Sequence, residues 1–208
     1  MRVRAASIVA AAFAAFATGC ASVAAPPPGS VRPGTLVGGC GPMPGLVALY
    51  ILPFPAGETH SLTQGNCGAE SHSGRFRYAF DFRMPPGTSI VAARGGTVVV
   101  VRDDRPDDTG RVGDENLVMI EHPDGHLSRY IHLASHGARV VEGDRVAAGD
   151  TIALSGNSGR SAFPHLHFDV ADRCGRDGCR TIPAAFRNAD PPVPIGRGPV
   201  EARSPEAP

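Results

Sequence analysis

The chain has 208 residues, 42% of them hydrophobic, enough to bury one ordinary core and a small extra element. Its formal net charge is zero, which gives no electrostatic footprint for a nucleic-acid partner, and all 20 basic residues are arginines, which excludes functions that need a lysine. The 26 glycines and 20 prolines stay below the level of a disordered chain and favour short strands joined by turns over long helices.

In chain order, residues 1–19 read as a signal peptide. Arg2 and Arg4 precede AASIVAAAFAAFA, an apolar run too short for a permanent membrane span. The small-small-Cys ending of ATGC resembles the lipobox of bacterial lipoproteins, with Ala17 where leucine is usual. This makes Cys20 a candidate lipid anchor to a membrane; ordinary cleavage after Ala17 is the alternative. Cysteine parity favours the anchor. In an exported protein Cys174 and Cys179, which flank the turn GRDG, are expected to pair, as are Cys40 and Cys67. That leaves Cys20, of five cysteines, without a partner. Residues 20–39 are a Pro/Gly-rich tether, residues 40–188 the folded domain, and residues 189–208 a tail poor in core residues that is expected to fray.

Strand signals dominate the folded part. RYAFDF alternates, placing Tyr78, Phe80 and Phe82 on one side and Asp81 on the other. SIVAA and TVVVVR are short strands between the turns PPGT and RGG, and residues 102–116 are a polar loop. LVMIEH and HLSRYIHL flank PDG, a hairpin signal. On the second of these, Ile131 and Leu133 are expected to face the core, so that Tyr130 and His132 face out. ARVVEGDRVAAGDTIALSG continues as short strands between glycine turns. The last strand, HLHFDV, points Leu166, Phe168 and Val170 toward a core, and His165, His167 and Asp169 to the opposite face. The expected fold is all-β, an antiparallel sheet, sandwich-like or partly open, with an exposed groove.

A lone outward histidine or aspartate on a sheet is ordinarily a solvated surface residue. Asp81, His132, His165 and His167 on three strands, two of them side by side on the same face of one strand, fit another pattern. Catalytic zinc takes three protein ligands, usually histidine and carboxylate, and leaves one position open. Two more histidines beside it serve as general base and as donor to a developing oxyanion. One further histidine near Asp81 completes that inventory.

The order YAFDFRMPPGTSIVAARGGTVV, NLVMIEHPDGHLSRYIHL and VVEGDRVAAGDTIALSGNSGRSAFPHLHF resembles the LytM/lysostaphin-type zinc endopeptidases of bacterial cell walls. The resemblance runs from about Leu52 to Val170. It implies that Asp81 and His167 are zinc ligands, that His132 and His165 are catalytic, and that the substrate is the peptide part of peptidoglycan in the cell envelope. The departure is Arg77, which stands four residues before Asp81 where the family pattern has a histidine, and a guanidinium cannot ligate zinc. His72 is the favoured replacement, because it needs a shorter loop to order than the fallback, His60. The rival reading is a metal-free degenerate domain that binds the wall or regulates other wall hydrolases. The paired glycine turns of VEGDRVAAGDTIALSG also resemble biotinyl and lipoyl carrier domains, but these need a lysine and the chain has none.

Overall fold

The computed structural model describes residues 49–68, 70–175, 178–190 and 198–202. The predicted signal peptide, the tether and Cys20 lie outside them. The described chain is all-β, with a 3-10 turn at Gly74–Phe76 as its one helical element. The strands are β1 (Thr59–Gln64), β2 (Phe80–Arg83), β3 (Ser89–Val91), β4 (Gly96–Arg102), β5 (Leu117–Glu121), β6 (Leu127–Ile131), β7 (Arg145–Val146), β8 (Thr151–Leu154), β9 (His165–Gly175), β10 (Gly178–Ile182), β11 (Ala189–Asp190) and β12 (Gly198–Ala202).

Ten of these form one sheet in the order β11-β12-β1-β2-β9-β6-β5-β4-β7, with β10 on the far half of β9; β3 and β8 form a separate pair. All the strand pairings are antiparallel. The β5–β6 hairpin turns where PDG predicted it. His122 N donates to His126 O at 2.9 Å, and Gly125 takes φ 80°, a left-handed conformation that suits glycine. The β-branched run of β4 packs beside β5. Ala138–Val141 form no strand, and the alternating RYAFDF becomes one only from Phe80 onward. The tail also differs from expectation. Residues 198–202 pair with β1 rather than fraying, because their backbone groups complete the edge that β1 would otherwise expose.

The core lies on one face of the large sheet, where Phe80, Phe82, Leu166, Phe168, Val170 and Phe186 are fully buried. Period-two alternation then sends Asp81, His165, His167 and Asp169 to the other face. One facing was expected the wrong way round. Tyr130 belongs to the core, with its hydroxyl accepting from Ala93 N at 2.7 Å, while Ile131 lines the opposite face. The strand ends at Ile131, and His132 takes φ 66°. That left-handed residue breaks the alternation, so His132 and Ile131 share the site face although they are neighbours in sequence.

Cys174 and Cys179 are disulfide-bonded across β9 and β10 with their Cα atoms 4.0 Å apart, as expected. Cys67 is also disulfide-bonded; Cys40, its expected partner, lies outside the described residues.

Candidate metal centre

β9 lies between β2 and β6, and this sets the distances in the site. Asp81 on β2 is in register with His167, and His167 is in register with Ile131 on β6. His72 arrives from a loop between β1 and β2. Asp81, His167 and His72 are all at least nine-tenths buried, and one ligand atom from each lies within 4.8 Å of the other two. His167 Nδ1 is 2.9 Å from Asp81 Oδ1.

His72 gives the sharpest indication of what belongs there. Its Nδ1 is 2.8 Å from Gly65 O, and a carbonyl only accepts, so Nδ1 carries the proton and Nε2 carries a lone pair. Nε2 lies 3.1 Å from Asp81 Oδ2, yet the two are not aligned as a hydrogen bond and Nε2 is buried without a partner. A lone pair and a carboxylate oxygen facing each other in a buried site are both acceptors. A cation between them satisfies both, and the nitrogen/oxygen donor set suits zinc. The residues present therefore fit a metal ion.

Supporting contacts fix the ligand atoms. Gln64, at the end of β1, donates from Nε2 to Asp81 Oδ2 at 3.0 Å. Its Oε1 accepts from the backbone N–H groups of Glu70 and Ser71, which clamps the His72 loop to Asp81. Behind His167, Nε2 meets Asp169 Oδ2 at 3.1 Å, and Arg129 holds that carboxylate through two 2.7 Å contacts. This is the carboxylate–histidine arrangement that orients an imidazole for a metal. Burial opposes the charge on His167, but Asp169 and Asp81 outweigh it and push its pKa up to about 9. Burial likewise works to raise Asp81, and His167, donating from Nδ1, outweighs it and holds the carboxylate well below the usual range.

His132 and His165 stand beside these three residues without joining them. Their rings are 4.7 Å apart, and His165 Nε2 is 3.7 Å from Asp81 Oδ1. Each Nδ1 is tied to a backbone carbonyl at 2.8 Å, that of Ser158 for His132 and that of Phe163 for His165. Each Nε2 is thereby left as an acceptor. Burial first, then the neighbouring His165 and His167, pushes His132 down to about 3. Burial also lowers His165. A left-handed non-glycine residue such as His132 costs on the order of 1–3 kcal/mol, and here it is held by Gly156 N donating to its carbonyl at 3.0 Å.

The five residues singled out from sequence thus converge. His60 does not join them: it sits on β1, 2.8 Å from Glu58 Oε2 and edge-on to Phe54. Arg77 is exposed, its Nε directed at Cys67 Sγ at 3.0 Å, and makes no contact with the site. Sequence reasoning missed Gln64, since a single glutamine on a strand reads as surface, and it missed Arg129. The HxHxD period did place Asp169 on the face of His167. A groove of about 750 Å³ opens over Asp81 and His167, lined by residues that include Phe76, Arg83, Glu115, Ile131, Arg160 and Phe163.

Comparison with known proteins points the same way. Residues 75–177 match Peptidase family M23. The peptidoglycan DD-endopeptidase ShyA of Vibrio cholerae is 37% identical over 93 residues, 45% of this chain and 20% of that protein. The glycyl-glycine endopeptidase ALE-1 of Staphylococcus capitis is 35% identical over 96 residues, 46% of this chain and 25% of that protein. The chain therefore spans only a fifth to a quarter of these relatives. Among solved structures, the catalytic domain of a mutant of the prophage-encoded M23 protein EnpA from Enterococcus faecalis is 26% identical, covering 62% of this chain and 93% of that one with a TM-score of 0.49. His72 falls three residues before the matched stretch, while Asp81, His132, His165 and His167 fall inside it. The resemblance read from sequence holds, and the chain carries a domain of Peptidase family M23.

Proposed function

We propose that the protein is a zinc-dependent endopeptidase that hydrolyses peptide bonds of bacterial peptidoglycan, with His72, Asp81 and His167 as metal ligands and His132 and His165 as catalytic residues. The observation that carries this reading is the buried Nε2 lone pair of His72 facing the Asp81 carboxylate at 3.1 Å, beside His167. The family match and the activities named for ShyA and ALE-1 support the substrate class.

A zinc ion in this donor set supplies Lewis acidity, polarising a scissile carbonyl and making water a nucleophile near neutral pH. The chain's own residues do the rest. The open groove lets an extended peptide lie over β2 and β9. His165, the nearer of the two to the ligands, takes the proton of the attacking water on Nε2 while its Nδ1–H stays on Phe163 O. In their neutral forms both rings present acceptors to the groove. Either one donates to an oxyanion only after it has taken a proton, so base and donor duties are successive for a given ring rather than divided from the start. The depressed pKa values of His132 and His165 leave both rings unprotonated at neutral pH, so each Nε2 lone pair is open to a proton.

The test measures zinc in the purified protein and digests purified peptidoglycan with it. One equivalent of zinc and newly released peptide ends are expected. A folded protein that holds no metal and cuts nothing is instead the degenerate wall-binding domain. We further propose export to the cell envelope with Cys20 as the lipid anchor. Expressed with its own leader, the protein is expected in the membrane fraction, and its Cys20→Ser variant is not.

A further inference from the structure

The groove wall carries charge that the proposed chemistry leaves unused. Arg83 lies two residues beyond Asp81 on β2, so it projects on the same face, and its register partner is His165. The side chain is exposed, and its guanidinium carbon stands 5.2 Å from the centre of the Phe163 ring. The carbonyl of Phe163 also anchors His165 Nδ1, so one residue both supports Arg83 and orients the catalytic imidazole. Among the described residues, no carboxylate pairs with the guanidinium of Arg83 or of Arg160, which also lines the groove. The other charges there are engaged, Glu70 and Arg75 among them. Arg129 is taken by Asp169, Asp81 belongs to the ligand set, and Glu115 accepts from Gly113 N at 2.9 Å and lies 3.8 Å from Arg102.

A guanidinium resting on an aromatic face has already given up much of its rotamer freedom, while its N–H fork stays available to a planar anion. Carboxylates accept that fork in two parallel hydrogen bonds. Two strand residues span about 6.6 Å, so Arg83 reaches a substrate group one or two residues from a carbonyl held at the ligand set. We propose that Arg83, stacked on Phe163, is a specificity-determining residue that binds a substrate carboxylate beside the scissile bond. The preferred substrate is then an acidic peptide with free carboxylates rather than an uncharged glycine bridge. This rests on the peptidase reading above and names its substrate class.

The experiment uses the zinc-loaded protein and soluble peptidoglycan fragments in two forms, with carboxylates free or converted to amides. For the wild type, kcat/KM is expected to be about 10-fold higher on the free form, mostly through KM. Arg83→Gln is expected to cleave both forms at the amide-form rate, and Arg83→Lys to recover part of the preference. Arg145→Gln, which removes an exposed arginine on β7 outside the groove, keeps the preference and controls for net charge. A wild type without preference, or an Arg83→Gln protein that retains it, overturns the proposal. Calorimetry of the same fragments with metal-free protein provides a second readout: Arg83→Gln is expected to bind the free form about 10-fold more weakly and the amide form unchanged. If no zinc-loaded protein cuts either form, the peptidase reading fails while calorimetry still decides Arg83. Equal binding of the free form by both proteins, or none by either, removes Arg83 as a carboxylate site.

Discussion

His72 and His122 share one local construction and differ in what surrounds it. Both are buried, both tie Nδ1 to a backbone carbonyl (Gly65 and Gly95), and both leave Nε2 without a partner. Around His72 stand a carboxylate and a second imidazole, with Asp81 Oδ2 at 3.1 Å and the His167 ring centred 5.3 Å away. Around His122 they are an aromatic edge and a cation: the Tyr50 ring is 5.5 Å away, and the Arg94 guanidinium lies over that ring and works against a charge on His122. A fixed, buried imidazole lone pair is therefore no metal ligand by itself. The converging carboxylate and second imidazole make the difference, and the sheet register of β2 against β9 brings them together.

The largest effects should separate the two histidines outright. His167→Ala and Asp81→Ala are expected to lose bound zinc and all measurable peptidoglycan cleavage. His72→Ala is expected to do the same, while His122→Phe keeps a full equivalent of zinc and its activity. Metal analysis of the dialysed variants reads this directly. If His72→Ala retained its zinc, the contrast would collapse and the ligand set would be wrong. Next in size are the two histidines that touch the site without converging on the metal. His132→Ala and His165→Ala are expected to retain zinc and lose about 10²-fold or more in cleavage rate. Loss of zinc from both would move them into the ligand set.

The supporting shell predicts a graded effect. Gln64 is the only described side chain that bonds both Asp81 and the His72 loop, through Nε2 and Oε1. Gln64→Ala is expected to weaken zinc affinity by about 10–100-fold in a chelator competition, with the fold intact by circular dichroism. Gln64→Glu tests the geometry further. Its carboxylate can still accept from Glu70 and Ser71, but it cannot donate to Asp81, so the loop should hold while the metal affinity falls.

How much of this was legible in the sequence depends on how local each signal is. The HxHxD alternation announced the site face of β9, because period two follows from strand geometry alone. The PDG hairpin was legible for the same kind of reason, since its turn needs a positive φ that glycine supplies. Tyr130 and Ile131 were misplaced because a single left-handed residue, His132, inverts the phase at the end of β6, and no residue type marks that inversion. Gln64 was illegible because its partners come from 17 residues away in Asp81 and from the loop it clamps. The strand at Gly198–Ala202 was missed because its stabilisation comes from pairing with the distant β1, and its composition carries no strand signal.

The smallest effect belongs to His122 and follows from pH. Burial is the main cause that holds its pKa below the ordinary 6.5; the Gly95 carbonyl opposes that shift and Arg94 adds to it. The folded protein therefore refuses a proton that the unfolded chain accepts. Its contribution to stability is complete above about pH 6.5 and shrinks as pH falls toward the folded-state pKa, because the unfolded state then binds more protons. His132 and His165, also lowered, contribute with the same sign, while His167, raised to about 9, contributes with the opposite sign as pH falls from about 9 to about 6.5, so the difference between wild type and variant is what isolates His122. Replacing His122 with phenylalanine keeps a ring against Tyr50 and removes one titrating group. It also leaves Gly95 O without its donor, which costs about 1 kcal/mol at any pH. Denaturant unfolding of metal-free protein at about pH 8 and about pH 5.5 separates the two terms, since the variant should start lower yet lose up to about 1 kcal/mol less between them. Equal losses in wild type and variant would mean that His122 takes its proton in the fold as readily as out of it. The unpartnered Nε2 would then be accessible, and the contrast with His72 would rest on neighbours alone.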